Sequence, residues 1–231
     1  MPTLMATSPV HLKPNAPVAE RALLPGDPGR ALRLAQHLLA APMQVLNTNR
    51  GLWGYTGTAA DGAQLTIQST GMGGPSAAIV AEELIGLGAR RLVRVGTCGL
   101  LEGRRELGSL LVAGAALCAD GTSRALGGGE RAEADGELTA ALERVAGPAA
   151  LVASSDLFYD PEPARAQAWV AAGATAVEME AATLFTIARR HGVAAGCLLV
   201  VSDVVETGER IGDDALHAAE LRLGDAALAA L

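Results

Sequence analysis

The sequence predicts a single α/β domain, residues 1–231, in which a mixed central β-sheet is flanked by helices on both faces. Short apolar runs of strand length alternate with helical patterns along the chain, which indicates a mostly parallel or mixed sheet covered on both sides. Half of the 231 residues are hydrophobic, enough for a sizeable core. The chain shows neither an internal repeat nor a linker, and we therefore expect one domain.

The first third of the chain predicts a strand, a helix and three further strands. Residues 21–25 form a buried run that ends at Gly26-Asp27-Pro28. An Asp cap followed by Pro predicts the start of a helix, which continues through Leu39. Strands are expected over residues 43–46, 53–58 and 64–70, and Asp61-Gly62 is a hairpin-type turn between the last two.

The rest of the chain continues the alternation of strands and helices. A glycine-rich turn over residues 71–76 precedes a predicted helix over residues 77–87. Residues 120–136 are rich in glycine and charge and are predicted to be a mobile loop. The remaining predicted strands cover residues 91–95, 110–118 and 195–201, and the remaining helices cover residues 137–145, 163–172, 181–191 and 213–231.

Composition and charge argue against several classes of protein. Lys and Arg number 18 against 25 Asp and Glu, and the net charge of -7 argues against a nucleic-acid binder. Cys98, Cys118 and Cys197 form no CxxC pair and no Cys/His cluster, so we expect reduced thiols, no metal site and a cytoplasmic location. Residues 1–10 lack the pattern of a signal peptide, and no apolar run reaches membrane-spanning length, so no membrane partner is expected.

Two glutamates, Glu178 and Glu180, interrupt an otherwise apolar stretch. Glutamate is rarely buried unless it is paired, and residues two positions apart face the same way only where the backbone is extended. We therefore expect the pair where a strand or loop enters the helix that follows. Close carboxylates in a partly dry site suit a ligand rich in hydroxyl donors, such as a ribose. The alternative is a solvated turn that carries two charges.

Polar or glycine-rich motifs follow four of the predicted strands, and ligands of open α/β sheets bind beyond the carboxyl ends of strands. Gly26 permits close approach of an anion, and Arg30 follows it by one helical turn. Arg94 and Thr97 add a second guanidinium and a hydroxyl, so the four residues predict a phosphate site. The alternative is that the arginines form surface salt bridges. The motifs are Gly26-Asp27-Pro28-Gly29-Arg30, Gly96-Thr97-Cys98-Gly99, Ser154-Ser155-Asp156-Leu157-Phe158-Tyr159 and Ser202-Asp203.

In their order along the chain, these motifs resemble those of the nucleoside phosphorylase-I family, which includes hexameric purine nucleoside phosphorylases, uridine phosphorylases and 5'-methylthioadenosine phosphorylases. The resemblance extends from His11 to about Asp214 and favours the purine branch. The motifs that carry it are Leu24-Pro25-Gly26-Asp27-Pro28-Gly29-Arg30, Asn49-Arg50-Gly51, Arg94-Val95-Gly96-Thr97-Cys98-Gly99, Val177-Glu178-Met179-Glu180 and Val201-Ser202-Asp203.

The resemblance implies phosphate-dependent cleavage of the N-glycosidic bond of purine nucleosides, which gives free base and (deoxy)ribose 1-phosphate. Inorganic phosphate is then the co-substrate, and no metal or other cofactor is implied. The resemblance also implies a homo-oligomer, commonly a hexamer built as a trimer of dimers, in which a neighbouring subunit completes each site. The residues implied for phosphate are Gly26, Arg30, Arg94 and Thr97, joined by Arg50 of the neighbouring subunit.

The resemblance implies three catalytic residues, Asp203, Glu180 and Arg94. Asp203 would carry a proton and donate it to the purine N7 as the base leaves. Glu180 would bind the ribose 2' and 3' hydroxyls, and Phe158 would stack on the base. From the residues alone, Phe158 is equally suited to core packing. The full set implied for the nucleoside is His11 from the neighbouring subunit, Cys98, Gly99, Phe158, Glu178, Met179, Glu180, Ser202 and Asp203.

One position departs from the family's pattern and leaves the base preference open. Bacterial hexameric purine enzymes have an arginine that assists the aspartate, and ungapped counting places Leu216 there. Arg210 and His217 are nearby, but neither matches. Uridine phosphorylase and 5'-methylthioadenosine phosphorylase therefore remain alternatives, although residues 160–167 give no convincing match to the glutamine and arginine that read uracil.

Two further alternatives share the fold but not the reaction. A nucleosidase that uses water would have no need of Arg30 and Arg94 around Gly26. A non-catalytic nucleoside-binding protein would have no need of both Glu180 and Asp203. The presence of all five residues favours phosphorolysis.

Overall fold

The computed structural model describes residues 9–103 and 105–231 of the chain. Most of residues 1–10, for which the sequence predicts no signal peptide, lie outside this part. The described strands are β1 (Arg21–Leu24), β2 (Gln44–Asn47), β3 (Gly54–Thr58), β4 (Gln64–Gln68), β5 (Arg91–Leu100), β6 (Leu110–Cys118), β7 (Arg131–Glu133), β8 (Ala150–Ser154), β9 (Ala176–Glu178) and β10 (Ala194–Val204). The described helices are α1 (Pro28–Leu38), α2 (Gly74–Gly86), α3 (Gly121–Ala125), α4 (Gly136–Ala146), α5 (Pro163–Ala171), α6 (Ala181–His191) and α7 (Asp213–Ala230).

These strands form one mixed sheet, which confirms the fold class that the sequence predicts. The strand order is β10-β6-β8-β9-β5-β1-β4-β3-β2, and β7 pairs with β6. Because β10 also pairs in parallel with β5, the strands β5, β10, β6, β8 and β9 form a closed circuit. The other strands extend the sheet from β5, with β1 parallel to both β5 and β4, and β3 antiparallel to β4.

Successive side chains of a buried strand point to opposite sides of the sheet, so the sheet has two apolar faces. Helices cover both of them. On one face, Leu199 and Val201 of β10 belong to a core that includes Phe185 of α6. On the other face, Leu198 and Val200 belong to a second core, with residues of α1, α4 and α7. None of the helices in the described part of the chain has both the length and the apolar character needed to cross a membrane.

The two central strands are longer than the sequence predicts. The predicted strands end at residues 95 and 201, whereas β5 continues to Leu100 and β10 to Val204. The two strands pair in parallel along most of their length. This pairing outweighs the poor strand preference of glycine, so Gly96 and Gly99 lie inside β5. The motifs predicted to follow the two strands are therefore parts of them.

The prediction of a mobile loop over residues 120–136 is wrong, because the segment forms α3 and β7. Asp120 is buried, and its Oδ2 accepts a hydrogen bond from the Ser123 N–H, which caps α3. The same oxygen accepts from the Thr183 hydroxyl of α6 at 2.8 Å. β7 then pairs with β6. Local composition is rich in glycine, but a buried cap and strand pairing order the segment.

Candidate active site

β5 brings the candidate site residues together, because β9 and β10 lie on either side of it and both pair with it near its carboxyl end. Arg94 and Thr97 lie within β5. At Gly99, β5 pairs with Val177 of β9 on one side and with Asp203 of β10 on the other. The glutamate pair and the aspartate therefore converge on the strand end where ligands of α/β sheets bind.

The residues predicted to bind phosphate lie around the end of β1 and the middle of β5. Leu24 pairs with Arg94, so the turn that begins at Gly26 lies beside the arginine. Arg30 is 8% exposed, and its Nη1 lies 3.5 Å from the carbonyl oxygen of Val95. Thr97, the fourth residue predicted for phosphate, follows Arg94 by three positions on β5.

Glu178 is a buried acceptor that orders the residues around it. Its Oε2 accepts from Nε of Arg94 at 2.8 Å and from the Glu180 N–H at 2.9 Å. Its Oε1 accepts from the Ser154 hydroxyl and, at 3.0 Å, from the Ala181 N–H. Glu178 thus holds Arg94 and the start of α6. In the predicted nucleoside site it has the position of a support behind Glu180.

Glu180 forms an ion pair with Arg94 and also contacts the residue that precedes α2. Its Oε2 lies 2.5 Å from Nη2 of Arg94, and its Oε1 accepts from the Gly73 N–H at 2.6 Å. Burial raises the pKa of Glu180 despite the opposing charge of Arg94. Burial lowers the pKa of Arg94, but the charges of Glu180 and Glu178 outweigh burial and raise it. Arg94 therefore stays protonated, next to a carboxylate that can accept hydroxyl hydrogen bonds.

Glycines at the start of α2 set the position of its backbone against Glu180. α2 begins at Gly74, with Pro75 in its first turn, and not at residue 77 as the sequence predicts. Gly73 has φ +84, a conformation that favours glycine, and it presents its N–H to Glu180. A Cβ at Gly74 would lie 2.8 Å from Oγ1 of Thr183, so glycine there permits α2 to approach α6 closely.

Asp203 lies on the base side of the predicted site. The Ser202 hydroxyl is 2.7 Å from Oδ1 of Asp203 and 3.2 Å from the carbonyl oxygen of Cys98. A Cβ at Gly99 would approach Oδ2 of Asp203 to 2.9 Å, so that glycine leaves room for the carboxyl group. Burial raises the pKa of Cys98 to about 12, which keeps its thiol protonated and argues against a nucleophile.

An exposed aromatic ring and an arginine lie close to Asp203. Phe158 is 60% exposed, which leaves its ring open for stacking. Tyr159 contacts Phe158 edge-on with 5.0 Å between ring centroids, and the guanidinium carbon of Arg210 lies 5.8 Å from the Phe158 centroid. The backbone of Arg210 pairs with that of Asp203. Leu216, at the position of the family's assisting arginine, packs against an apolar core instead.

His11 and Arg50 lie close together in the chain's surface region beside α2. The Asn49 side chain donates to the carbonyl oxygen of His11 at 2.7 Å, and Arg50 is exposed with φ +59. The His11 ring Nδ1 is 2.8 Å from Oε1 of Glu83, which also accepts the His11 and Leu12 backbone N–H groups. Burial raises the pKa of Glu83, but these hydrogen bonds outweigh burial and lower it. The two residues predicted to reach a neighbouring subunit are therefore presented from one region.

An open cleft of about 730 Å³ borders the site on the side of Met179 and Gly73. Gly121 and Asp156 line it as well, joined by a hydrogen bond of 2.7 Å from the Gly121 N–H to Oδ2 of Asp156. The space directly beside the Arg94–Glu180 pair is only about 10 Å³. The paired side chains thus fill their own corner, and the open volume lies next to Met179.

The sequence predicts no role for three residues that hydrogen-bond to the candidate site residues. Gly73 and Ser154 stand in motifs that the sequence singles out, but their hydrogen bonds to the glutamates become visible only in three dimensions. Glu220 is 1% exposed and accepts from Nε of Arg30 at 2.7 Å. The sequence does carry a signal for Glu220, since it lies on a helix between the apolar residues Ala219 and Leu223, which are one turn apart.

Comparison with known proteins gives consistent results. The model of a family described as "Phosphorylase superfamily" matches residues 20–230. A guanosine phosphorylase of Halorubrum lacusprofundi is 37% identical over 220 residues, covering 91% of this chain and 89% of that protein. A DeoD-type purine nucleoside phosphorylase of Clostridium beijerinckii is 39% identical over 210 residues, covering 87% and 88%. The crystal structure of a uridine phosphorylase from Vibrio fischeri superimposes with a TM-score of 0.84 at 28% identity, covering 93% and 92%.

Proposed function

Because this chain belongs to the phosphorylase superfamily, we propose that it cleaves purine nucleosides with inorganic phosphate, giving free base and (deoxy)ribose 1-phosphate. The observation that carries the proposal is the buried Arg94–Glu180 pair. It places a permanent cation for an anionic co-substrate directly beside an acceptor for sugar hydroxyls. A site of this kind can hold the attacking phosphate and the sugar next to each other, which lowers the entropic cost of their reaction.

Phosphate binds at the corner where the end of β1 meets the middle of β5. Arg30 and Arg94 donate to its oxygens from their guanidinium groups, and the Thr97 hydroxyl and the backbone at Gly26 complete the set. One phosphate oxygen faces C1' of the sugar and forms the new bond as the C1'–N bond breaks. The negative charge of phosphate also stabilises the sugar, which becomes cationic in the transition state.

Glu180 accepts hydrogen bonds from the ribose 2' and 3' hydroxyls, and Met179 packs against the sugar. The electron pair of the breaking bond moves to the base, which would leave as an anion unless it gained a proton. Asp203 donates that proton to N7, and the Ser202 hydroxyl orients its carboxyl group. Phe158 supplies the exposed ring on which the base stacks.

The proposal requires phosphate as co-substrate and no metal or organic cofactor, because every step is a hydrogen bond, a proton transfer or an attack by phosphate. We place the enzyme in the cytoplasm, where free nucleosides and phosphate are salvaged. Three buried free cysteines, Cys98, Cys118 and Cys197, support this location because such thiols persist in a reducing compartment.

The site needs a further cation, which we assign to a second subunit. Among the described residues around the phosphate corner, three arginines face three glutamates, so their charges cancel. The pairs are Arg94 with Glu178 and Glu180, and Arg30 and Arg33 with Glu220. A phosphate dianion is poorly stabilised by a neutral cluster. Arg50 is exposed and has a left-handed backbone conformation. A twofold-related subunit can donate it together with His11. We therefore propose a homo-oligomer with a dimer as the minimal active unit, and a hexamer as its full assembly.

Mixing two inactive variants tests this exchange of residues. We expect Arg50→Ala and Glu180→Gln each to lose most phosphorolysis. In a mixed dimer, the Glu180→Gln subunit still donates Arg50 to the intact Glu180 of its partner, so about a quarter of all sites regain activity after random reassociation. Turnover of the mixture, before and after dissociation and reassembly, is the measurement. Recovery is not expected if each subunit uses its own Arg50, since Arg50→Ala sites then stay inactive in every pairing.

A substrate panel with and without phosphate tests the proposed function. Inosine, guanosine, adenosine, 5'-methylthioadenosine and uridine are compared, and the sugar product is identified. We expect purine nucleosides to be cleaved only with phosphate and to give ribose 1-phosphate. Preference for uridine would support the second candidate, a uridine phosphorylase, which the structural similarity to the Vibrio fischeri enzyme favours. Release of free ribose without phosphate would contradict both.

A further inference from the structure

Glu220 of α7 is a buried carboxylate with two arginine partners on α1. Its Oε1 accepts from Nε of Arg30 at 2.7 Å. Its Oε2 accepts from Nε and Nη2 of Arg33 at 3.0 and 2.7 Å. The residue is 1% exposed, whereas the Arg33 side chain is 33% exposed. Glu220 therefore lies between a buried arginine on the phosphate side and a partly solvated one on the outside.

The contact fixes the plane of the Arg30 guanidinium. Glu220 binds Nε, and the carbonyl oxygen of Val95 lies 3.5 Å from Nη1. Because the guanidinium is rigid and planar, fixing one edge directs the remaining N–H groups along set directions. Within the described residues, Nη2 of Arg30 has no protein partner and is left for an anion. Without Glu220, the side chain of Arg30 would have several rotamers in place of one.

The packing of α7 on α1 makes this contact possible. A Cβ at Gly224, one turn after Glu220, would lie 2.6 Å from Cδ2 of Leu34. Glycine at this point therefore allows the two helices to approach more closely than a larger residue would. Arg33 also lies 3.5 Å from Asp27, which caps α1 at the Arg30 N–H. A continuous set of charges thus joins α7 to the turn that begins at Gly26.

We propose that Glu220 is a positioning residue for phosphate, acting by orienting Arg30 from the opposite side of the anion corner. The inference rests on the proposed function, since it assigns to Arg30 a phosphate ligand. Arg33 offsets the charge of Glu220, so the set of Arg30, Arg33 and Glu220 keeps one net positive charge while the carboxylate holds Arg30.

Steady-state kinetics of Glu220→Leu and Glu220→Gln test the proposal. We expect Glu220→Leu to raise the KM for phosphate roughly ten- to hundredfold, because a misplaced binding group costs this much, and to leave the KM for nucleoside within about twofold. Glu220→Gln still accepts from Nε of Arg30 and should show an intermediate KM for phosphate. Circular dichroism and thermal unfolding establish that the variants are folded, and Glu220→Gln carries the test if Glu220→Leu does not fold.

Asp225→Asn is the matched control. Asp225 also joins α7 to α1, through His37 at 2.8 Å, but this pair is exposed and lies about two helical turns beyond Arg30 on α1. We expect its KM for phosphate to equal that of the unmodified enzyme. A folded Glu220 variant with an unchanged KM for phosphate, in an enzyme that requires phosphate, overturns the inference alone. An unmodified enzyme that turns over without phosphate overturns the proposed function and this inference with it.

Discussion

Replacing Asp203 with asparagine should lower kcat for inosine and guanosine by about 10²–10⁴-fold, the usual contribution of a general acid. Asparagine has nearly the same shape, and the Ser202 hydroxyl can still donate to its Oδ1, so the KM for nucleoside should change by less than about threefold. What the variant lacks is a proton to give to N7. Steady-state kinetics at saturating phosphate measure the effect.

A nucleoside with a methyl group on N7 provides the control for Asp203→Asn. Its base already carries a positive charge and leaves as a neutral molecule, so it needs no proton from the enzyme. We expect Asp203→Asn to cleave 7-methylguanosine at close to the unmodified rate. Equal losses on both nucleosides would mean that the substitution damages the site in general, and an unchanged kcat on inosine would contradict the acid role directly.

Replacing Arg94 with methionine should both destabilise the protein and remove activity. Arg94 is 6% exposed and pairs with Glu178 at 2.8 Å and with Glu180 at 2.5 Å. Its loss leaves two buried carboxylates without their cation, and breaking a buried ion pair in this way costs about 3–5 kcal/mol. Because Arg94 also holds Glu180, we expect the KM values for phosphate and for nucleoside to rise together. Urea unfolding and steady-state kinetics measure the two effects.

Arg91→Met is the matched control, since Arg91 lies on the same strand, three residue pairs away from Arg94 in the β1–β5 register. The Nε atom of Arg91 has no hydrogen-bond partner among the described residues. We expect its replacement to change the free energy of unfolding by less than about 1 kcal/mol and to leave turnover unchanged. If Arg94→Met were as stable as Arg91→Met, the buried pairing of Arg94 would have no structural importance.

Much of the fold could be predicted from local pattern. The Asp27 cap with Pro28 marks the start of α1. The antiparallel strands β3 and β4 are joined at the predicted turn, Asp61-Gly62. The spacing of the two glutamates also predicts that they lie where a strand or loop enters a helix, and β9 ends at Glu178 just before α6 begins at Ala181. These features depend on neighbours in sequence, which a single chain displays.

Other features depend on partners that are distant in sequence. The continuation of β5 through Gly96 and Gly99 results from pairing with β10, which begins almost a hundred residues later. α3 exists because Asp120 reaches both Ser123 and Thr183. The role of Glu220 depends on an arginine near the start of the chain. Charge and glycine content alone assign such positions to loops or to the surface.

The most direct measurement of the central claim is a crystal structure of the enzyme soaked in phosphate together with an unreactive purine nucleoside analogue. We predict phosphate density in contact with the guanidinium groups of Arg30 and Arg94 and the Thr97 hydroxyl, with the sugar hydroxyls on Glu180 and the base N7 toward Asp203. Phosphate bound elsewhere, or a sugar that does not touch Glu180, in crystals that still turn over substrate, would contradict the account.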